Sequence, residues 1–279
     1  LALVKPLLDA CEEAEESATV LRIRVVQIQL ALGDLKAANA AAAFVIAEAK
    51  GGPHYGEAMA VAGDVRYALG DLVMARKLLN QGAIRQRCPR KRASVLAELG
   101  DICRIEGDVS RAKENYDEAH VMFRRLHDKP GVARILAKIG SMSLDLEDYD
   151  GAVSRFTNAH ALFVEVGDGH QAAIMTGNLG RVSHAKGDSA AAENQFSKAI
   201  ATLEEVGNRR YAAIFVGNLA TVRHEMGDPK AAQGYEAAIA SLKETGDRRF
   251  VAIFLARLGS LEADQDKPIE AAAHLDQAV

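Results

Sequence analysis

The segment Gly177-Asn178-Leu179-Gly180 returns forty residues later as Gly217-Asn218-Leu219-Ala220. Self-similarity at such a period constrains the fold more than any other feature, because a repeated unit packs mainly on its neighbours rather than around one closed core. The same frame runs through most of the 279-residue chain. Small residues stand at Gly63, Gly100, Gly140, Gly180, Ala220 and Gly259, each preceded by an apolar one (Ala62, Leu99, Ile139, Leu179, Leu219, Leu258). A weaker first copy has Val25-Val26.

Each copy ends in a turn seven residues after the small residue: Gly33-Asp34, Gly70-Asp71, Gly107-Asp108, Glu147-Asp148, Gly187-Asp188, Gly227-Asp228 and Asp266-Lys267. Glycine just past a helix end accepts a left-handed backbone. Aspartate then accepts backbone N–H bonds at the start of the next helix. Two residues therefore stop one helix and start another, and each copy is expected to be a tight helical hairpin. Pro229 is expected in the first turn of its helix, where proline is tolerated.

The second helix of each hairpin carries Ala38, Ala75, Ala112, Ala152, Ala192, Ala231 and Ala271. Four residues on come Ala42, Leu79, Tyr116, Phe156, Phe196, Tyr235 and Leu275, and three further Val45, Gly82, Ala119, Ala159, Ala199, Ala238 and Ala278. Spacings of four and three lie on one helical face. The copy after Asp228 reaches its Ala one residue early, which places a one-residue deletion there. The repeat spacing is about 37 residues early and about 40 later. A helix-interior Gly costs about 1 kcal/mol against Ala, so five retained copies need about 5 kcal/mol of compensation. Close approach of the paired helix, whose Ala adds no bulk at the crossing, is the expected source. The large Tyr or Phe is expected to fill the gap to the next repeat.

Composition agrees with helices: aromatics are 5% and Trp is absent, whereas strands favour aromatic and β-branched residues. A net charge of −4 argues against bulk nucleic-acid binding, which usually needs a basic domain. No apolar run of about 18 residues would span a membrane, and no leader pattern precedes the first repeat. The three cysteines, Cys11, Cys88 and Cys103, are too few and too scattered for a disulfide framework or a metal knuckle. They suit a reducing cytoplasm. A chain that begins at Leu1 is expected to be a piece of a longer one.

Leu-Gly in the first helix and Ala, aromatic and Ala in the second resemble the tetratricopeptide repeat, strongly from Leu99 to Ala278 and more weakly before Gly63. The long period, with Gly167-Asp168, Gly207-Asn208 and Gly246-Asp247 between copies, is similar to the variety in Leu-Gly-Asn adaptors, kinesin light chains and bacterial signalling regulators. The resemblance implies an all-α fold, an α-α superhelix (solenoid) of about seven hairpins over 17–279, preceded over 1–16 by the helix of a partial repeat. It also implies that the first, or A, helices line a concave face. Carried over onto this sequence, the peptide-binding residues are Arg134, Lys138, Asn178, Arg181, His184, Asn218, His224 and Arg257, with Arg104 extending the set. In relatives an Asn at this position holds the backbone of an extended peptide. Arg and Lys nearby favour acidic side chains or a C-terminal carboxylate through charge-assisted hydrogen bonds, so an acidic peptide, extended or helical, is expected, although Asp64, Asp101, Asp145 and Glu225 share the face.

A basic run, Arg85-Gln86-Arg87-Cys88-Pro89-Arg90-Lys91-Arg92, with Arg124-Arg125, Arg209-Arg210 and Arg248-Arg249, reads either as a ridge for phosphate or an acidic partner or as solvated loops copied by duplication; the second reading is preferred. No P-loop, Gly-x-Ser-x-Gly elbow or completed His-Glu-x-x-His motif is present. His184 and His224 share one repeat position, but groove-lining polar residues are preferred over metal ligands. The chain is therefore expected to be a non-catalytic interaction scaffold without cofactor or metal, cytoplasmic, taking a protein or peptide and neither nucleic acid nor membrane. Two other readings stay open: the sensory or autoinhibitory part of a larger bacterial signalling kinase or ATPase, and self-association through the solenoid ends.

Overall fold

The computed structural model describes residues 15–278. Cys11, Val279 and most of the expected 1–16 helix lie outside these residues. Among the described residues there are fourteen helices and no strand. In chain order they are α1 (Glu15–Ala31), α2 (Leu35–Ala49), α3 (Tyr55–Ala68), α4 (Leu72–Arg85), α5 (Pro89–Ile105), α6 (Val109–Arg125), α7 (Lys129–Asp145), α8 (Tyr149–Glu165), α9 (Gly169–Ala185), α10 (Ser189–Glu205), α11 (Arg209–Glu225), α12 (Lys230–Glu244), α13 (Arg248–Asp264) and α14 (Pro268–Ala278). Odd-numbered helices are the A helices and even-numbered ones the B helices. The chain divides into two compact units, Leu1–Lys138 and Ile139–Val279, and the division falls within α7. Each unit is an all-α stack of helical hairpins.

The Gly-Asp pairs work as their chemistry dictates. At the end of α5, the Gly107 N–H donates to the Arg104 carbonyl (3.2 Å) and the Asp108 N–H to the Cys103 carbonyl (2.8 Å). These are the two bonds of a Schellman stop, with Gly107 left-handed at φ 80°. Asp108 then accepts from the Arg111 N–H at 3.1 Å and caps α6. Three junctions make the same stop without glycine, holding His127, Glu147 and Asp266 at φ 52°, 60° and 57°. His127-Asp128 carries no glycine signal in the sequence, yet Asp128 caps α7 through the Gly131 N–H at 3.0 Å.

The deletion after Asp228 is visible in the bonding. The Ala231 N–H reaches the Asp228 carbonyl at 3.1 Å, three residues back, where Ala112 reaches Asp108, four back. Pro229 stands just before the helix, which begins at Lys230, with φ −61°. The shorter early period has an equally direct cause: α3 and α4 have 14 residues each, while α5 to α11 have 17 each.

The core is built from one face of every B helix. Ala112, Tyr116, Ala119 and Phe123 are fully buried, as are Ala152, Phe156, Ala159 and Phe163 and their counterparts in α10 and α12. The helix-A glycines have a different principal role from the one expected. A Cβ on Gly100 would stand 2.4 Å from the Tyr116 ring, one on Gly140 2.9 Å from Phe156, and one on Gly180 2.9 Å from Phe196. What each glycine admits first is the large ring of its own hairpin, and the small Ala of the B helix is secondary. The rings also reach onward, as expected: Phe196 stacks on Phe215 at 5.9 Å and Tyr235 lies 6.3 Å from Phe254. Gly177 and Gly217 admit those onward rings, since added Cβ atoms there would meet Phe215 at 2.2 Å and Phe254 at 2.3 Å.

Candidate functional site

Counting from the small residue of each A helix sorts the polar groups into two positions. Two residues before it stand Glu98, Lys138, Asn178, Asn218 and Arg257; one residue after it stand Asp64, Asp101, Ser141, Arg181, Thr221 and Ser260. The later position of one repeat meets the earlier position of the next. The Lys138 ammonium donates to Asp101, and the Asp64 and Glu98 carboxyls hydrogen-bond to each other.

In unit 1 these contacts close the face. Asp101 neutralises Lys138 and also accepts from the Tyr116 hydroxyl at 2.7 Å. Arg104 donates to the same hydroxyl. Burial together with the Asp101 charge pushes the Tyr116 phenol far up. Asp64 and Glu98 cannot both be charged at such close range. Burial raises Asp64 to about 6, and burial plus the Asp64 charge holds Glu98 well above the usual carboxylate range. Arg134 is exposed and lies 5.9 Å from the Phe123 ring centre.

In unit 2 the face is more open. Arg181 donates to the Asn178 carbonyl oxygen over a long 3.4 Å. His184 pairs with Glu225 at 2.7 Å, and His224 with Asp264 at 3.1 Å. The two histidines thus each engage a carboxylate of the following A helix, and no group of three or more ligating side chains forms among the described residues. Asn218 is half-buried and makes no side-chain hydrogen bond to any described residue. Arg257 is exposed and has no carboxylate partner among the described residues.

The basic run is largely taken up inside unit 1. Arg90 bonds the capping Asp128 at 3.0 Å, Lys91 pairs with Glu57 at 2.6 Å, and Arg92 with Glu118 at 3.0 Å. Arg85 lies 5.7 Å from the Tyr55 ring centre. In unit 2, Arg210 reaches the capping Asp247 at 2.6 Å, and His170 reaches the capping Asn208. Arg90, Arg210 and His170 thus tie their hairpins to the cap of the next, whereas Lys91 reaches back to α3 and Arg92 stays within its own hairpin.

Sequence reasoning missed Glu98 and the two tyrosine hydroxyls. Glu98 occupies the same frame position as Lys138 and Asn178, so alignment of the repeats carries the signal. The hydroxyls are the one difference between Tyr116 or Tyr235 and the phenylalanines of the other copies.

Residues 131–205 match the tetratricopeptide repeat family model. Solved structures of this type share the fold at low identity. The apo form of RapI aligns over 93% of this chain and 96% of its own, with TM-score 0.71 and 13% identity. A Rap conjugation gene regulator in complex with a Phr peptide aligns over 80% and 72%, with TM-score 0.65 and 15% identity. A signal transduction ATPase with numerous domains and a tetratricopeptide repeat sensor, from Pyrococcus horikoshii, aligns over 93% of this chain and 40% of its own, with TM-score 0.68 and 13% identity. No curated protein sequence matches the chain. Residues 131–205 thus carry the tetratricopeptide repeat, and the chain shares the all-α hairpin fold of the solved repeat structures. No helix among the described residues is long and apolar enough to cross a membrane.

Proposed function

We propose that the A-helix face of unit 2 binds an extended, acidic peptide segment of a protein partner and that the chain acts as a non-catalytic regulatory module. One observation carries this reading. On a face where His184 and His224 are each paired to a carboxylate, Asn218 and Arg257 keep donors and acceptors that no described residue satisfies. Asn218 stands one period from Asn178, a spacing suited to the backbone of an extended chain, and Arg257 supplies the charge for a carboxylate. The Rap regulator in complex with a Phr peptide supports the same mode of use.

The test is binding of fluorescein-labelled octapeptides graded from acidic to basic. The chain is expected to favour the acidic end, and Asn178→Ala with Asn218→Ala and Arg181→Ala to weaken it about tenfold or more. Equal affinity for acidic and basic peptides, or an unchanged triple variant, would overturn the reading. The sensor of the Pyrococcus horikoshii ATPase supports a second reading, in which this region senses an effector for a larger signalling enzyme.

A further inference from the structure

Asp101 is held in the way a bound carboxylate would be. Its Oδ1 accepts from the Tyr116 hydroxyl at 2.7 Å, and its Oδ2 accepts from the ammonium of Lys138 in the next repeat. The Tyr116 ring is fully buried and seated over Gly100, where an added Cβ would stand 2.4 Å from it. The packed ring fixes the hydroxyl, and the hydroxyl aims the carboxylate at Lys138. This pair is not sealed in the core: the Lys138 and Asp101 side chains are 32% and 23% exposed. A carboxylate from solution can therefore reach the ammonium, but it meets a competitor already tethered beside it at high effective concentration.

Unit 2 contains a neutral version of the same construction. Thr221 occupies the frame position of Asp101, and Tyr235 that of Tyr116. The Tyr235 hydroxyl donates to Thr221 Oγ1 at 3.2 Å, and the Thr221 hydroxyl donates to the Gly217 carbonyl at 3.1 Å. A threonine thus satisfies the buried tyrosine hydroxyl without any charge. The carboxylate of Asp101 is more than that hydroxyl needs, and its second oxygen is spent on Lys138.

We propose that Asp101 is an internal stand-in for a partner's carboxylate: it masks a latent carboxylate-binding site at Lys138 and so confines recognition of acidic peptides to unit 2. The inference deepens the peptide-binding reading and rests on it for the ligand, but the masking itself can be measured without any peptide.

Two measurements on the full chain separate them, each comparing wild type with Asp101→Thr, the change that copies the Thr221 arrangement. A partly exposed ion pair contributes little to stability, so the variant is expected to keep the wild-type helical signal. Asp101→Asn, which keeps an oxygen for the Tyr116 hydroxyl, replaces it if it does not. The first measurement is acetylation of Lys138 by limiting N-hydroxysuccinimidyl acetate, read by peptide mass spectrometry. The variant is expected to react about threefold faster, since its amine is no longer engaged; equal rates overturn the proposal. The second is backbone NMR with the acidic octapeptides. The Lys138 amide is expected to be unmoved in wild type and to shift in Asp101→Thr, and Lys138→Gln in that background is expected to abolish the gain. Faster acetylation with no peptide-induced shift at Lys138 overturns the latent site. If the octapeptides leave Asn178 and Asn218 unshifted in wild type yet shift Lys138 in the variant, the unit 2 reading falls and the masked site stands. If they shift Asn178 and Asn218 in both proteins and Lys138 in neither, the masked site alone falls.

Discussion

Gly217→Ala tests the ring-over-glycine packing that joins consecutive repeats. The new Cβ would lie 2.3, 2.4 and 2.6 Å from three carbons of the Phe254 ring. Ordinary contact needs at least 3.4 Å, so the ring must withdraw by about 1 Å within a close-packed interior. It has little room, because Phe254 is 1% exposed and packs against Tyr235 and Phe250. Overpacking of this kind costs about 1–3 kcal/mol, while Ala gains about 1 kcal/mol of helix propensity. The net expectation is a loss of about 1 kcal/mol. In a Phe254→Leu background the ring is gone, and the same substitution should stabilise by up to about 1 kcal/mol. The reversal of sign is the signature, and urea unfolding of the four proteins measures it as a double-mutant cycle. Gly217→Ala stabilising both backgrounds equally would refute the contact.

Further predictions follow from single contacts. Glu147→Gly should stabilise by about 1 kcal/mol, because Glu147 holds a left-handed backbone at φ 60° that costs a side chain about that much; no gain in thermal unfolding would count against the turn. Gly169→Ala, with nothing within 4 Å of the added carbon, should stabilise by about 0.5–1 kcal/mol. Arg210→Ala should cost about 1 kcal/mol by removing the donor to Asp247, and an unchanged melting temperature would show that tie to be idle. The Asp64–Glu98 pair binds protons more tightly folded than unfolded, so folding takes up protons and stability falls as pH rises from about 4 through about 6. Glu98→Gln should flatten that part of the profile; a wild-type melting temperature that does not fall relative to the variant contradicts the shared proton.

The hairpins were legible because Gly-Asp punctuation is local chemistry: a left-handed residue and a capping carboxylate act within a few residues of each other. The His127-Asp128 junction was less legible, since tertiary packing holds a non-glycine residue in the same conformation and leaves no glycine to read. The glycine frame was visible, but its main partner was not, because choosing between a nearby Ala and a ring one turn away needs the distances themselves. On the A-helix face, the positions could be listed by analogy. Their state could not, because pairing between repeats decides it: Lys138 and Arg257 look alike in sequence, and only the residue one repeat back, Asp101 or Thr221, makes one neutralised and the other available.

The most direct test of the functional account is backbone NMR mapping of an acidic octapeptide on the full chain. Shifts confined to α9, α11 and α13, centred on Asn178, Asn218 and Arg257, are predicted. Shifts centred instead on the B helices α10 and α12, or on the carboxylate-lined face around Asp64 and Glu98, would contradict it.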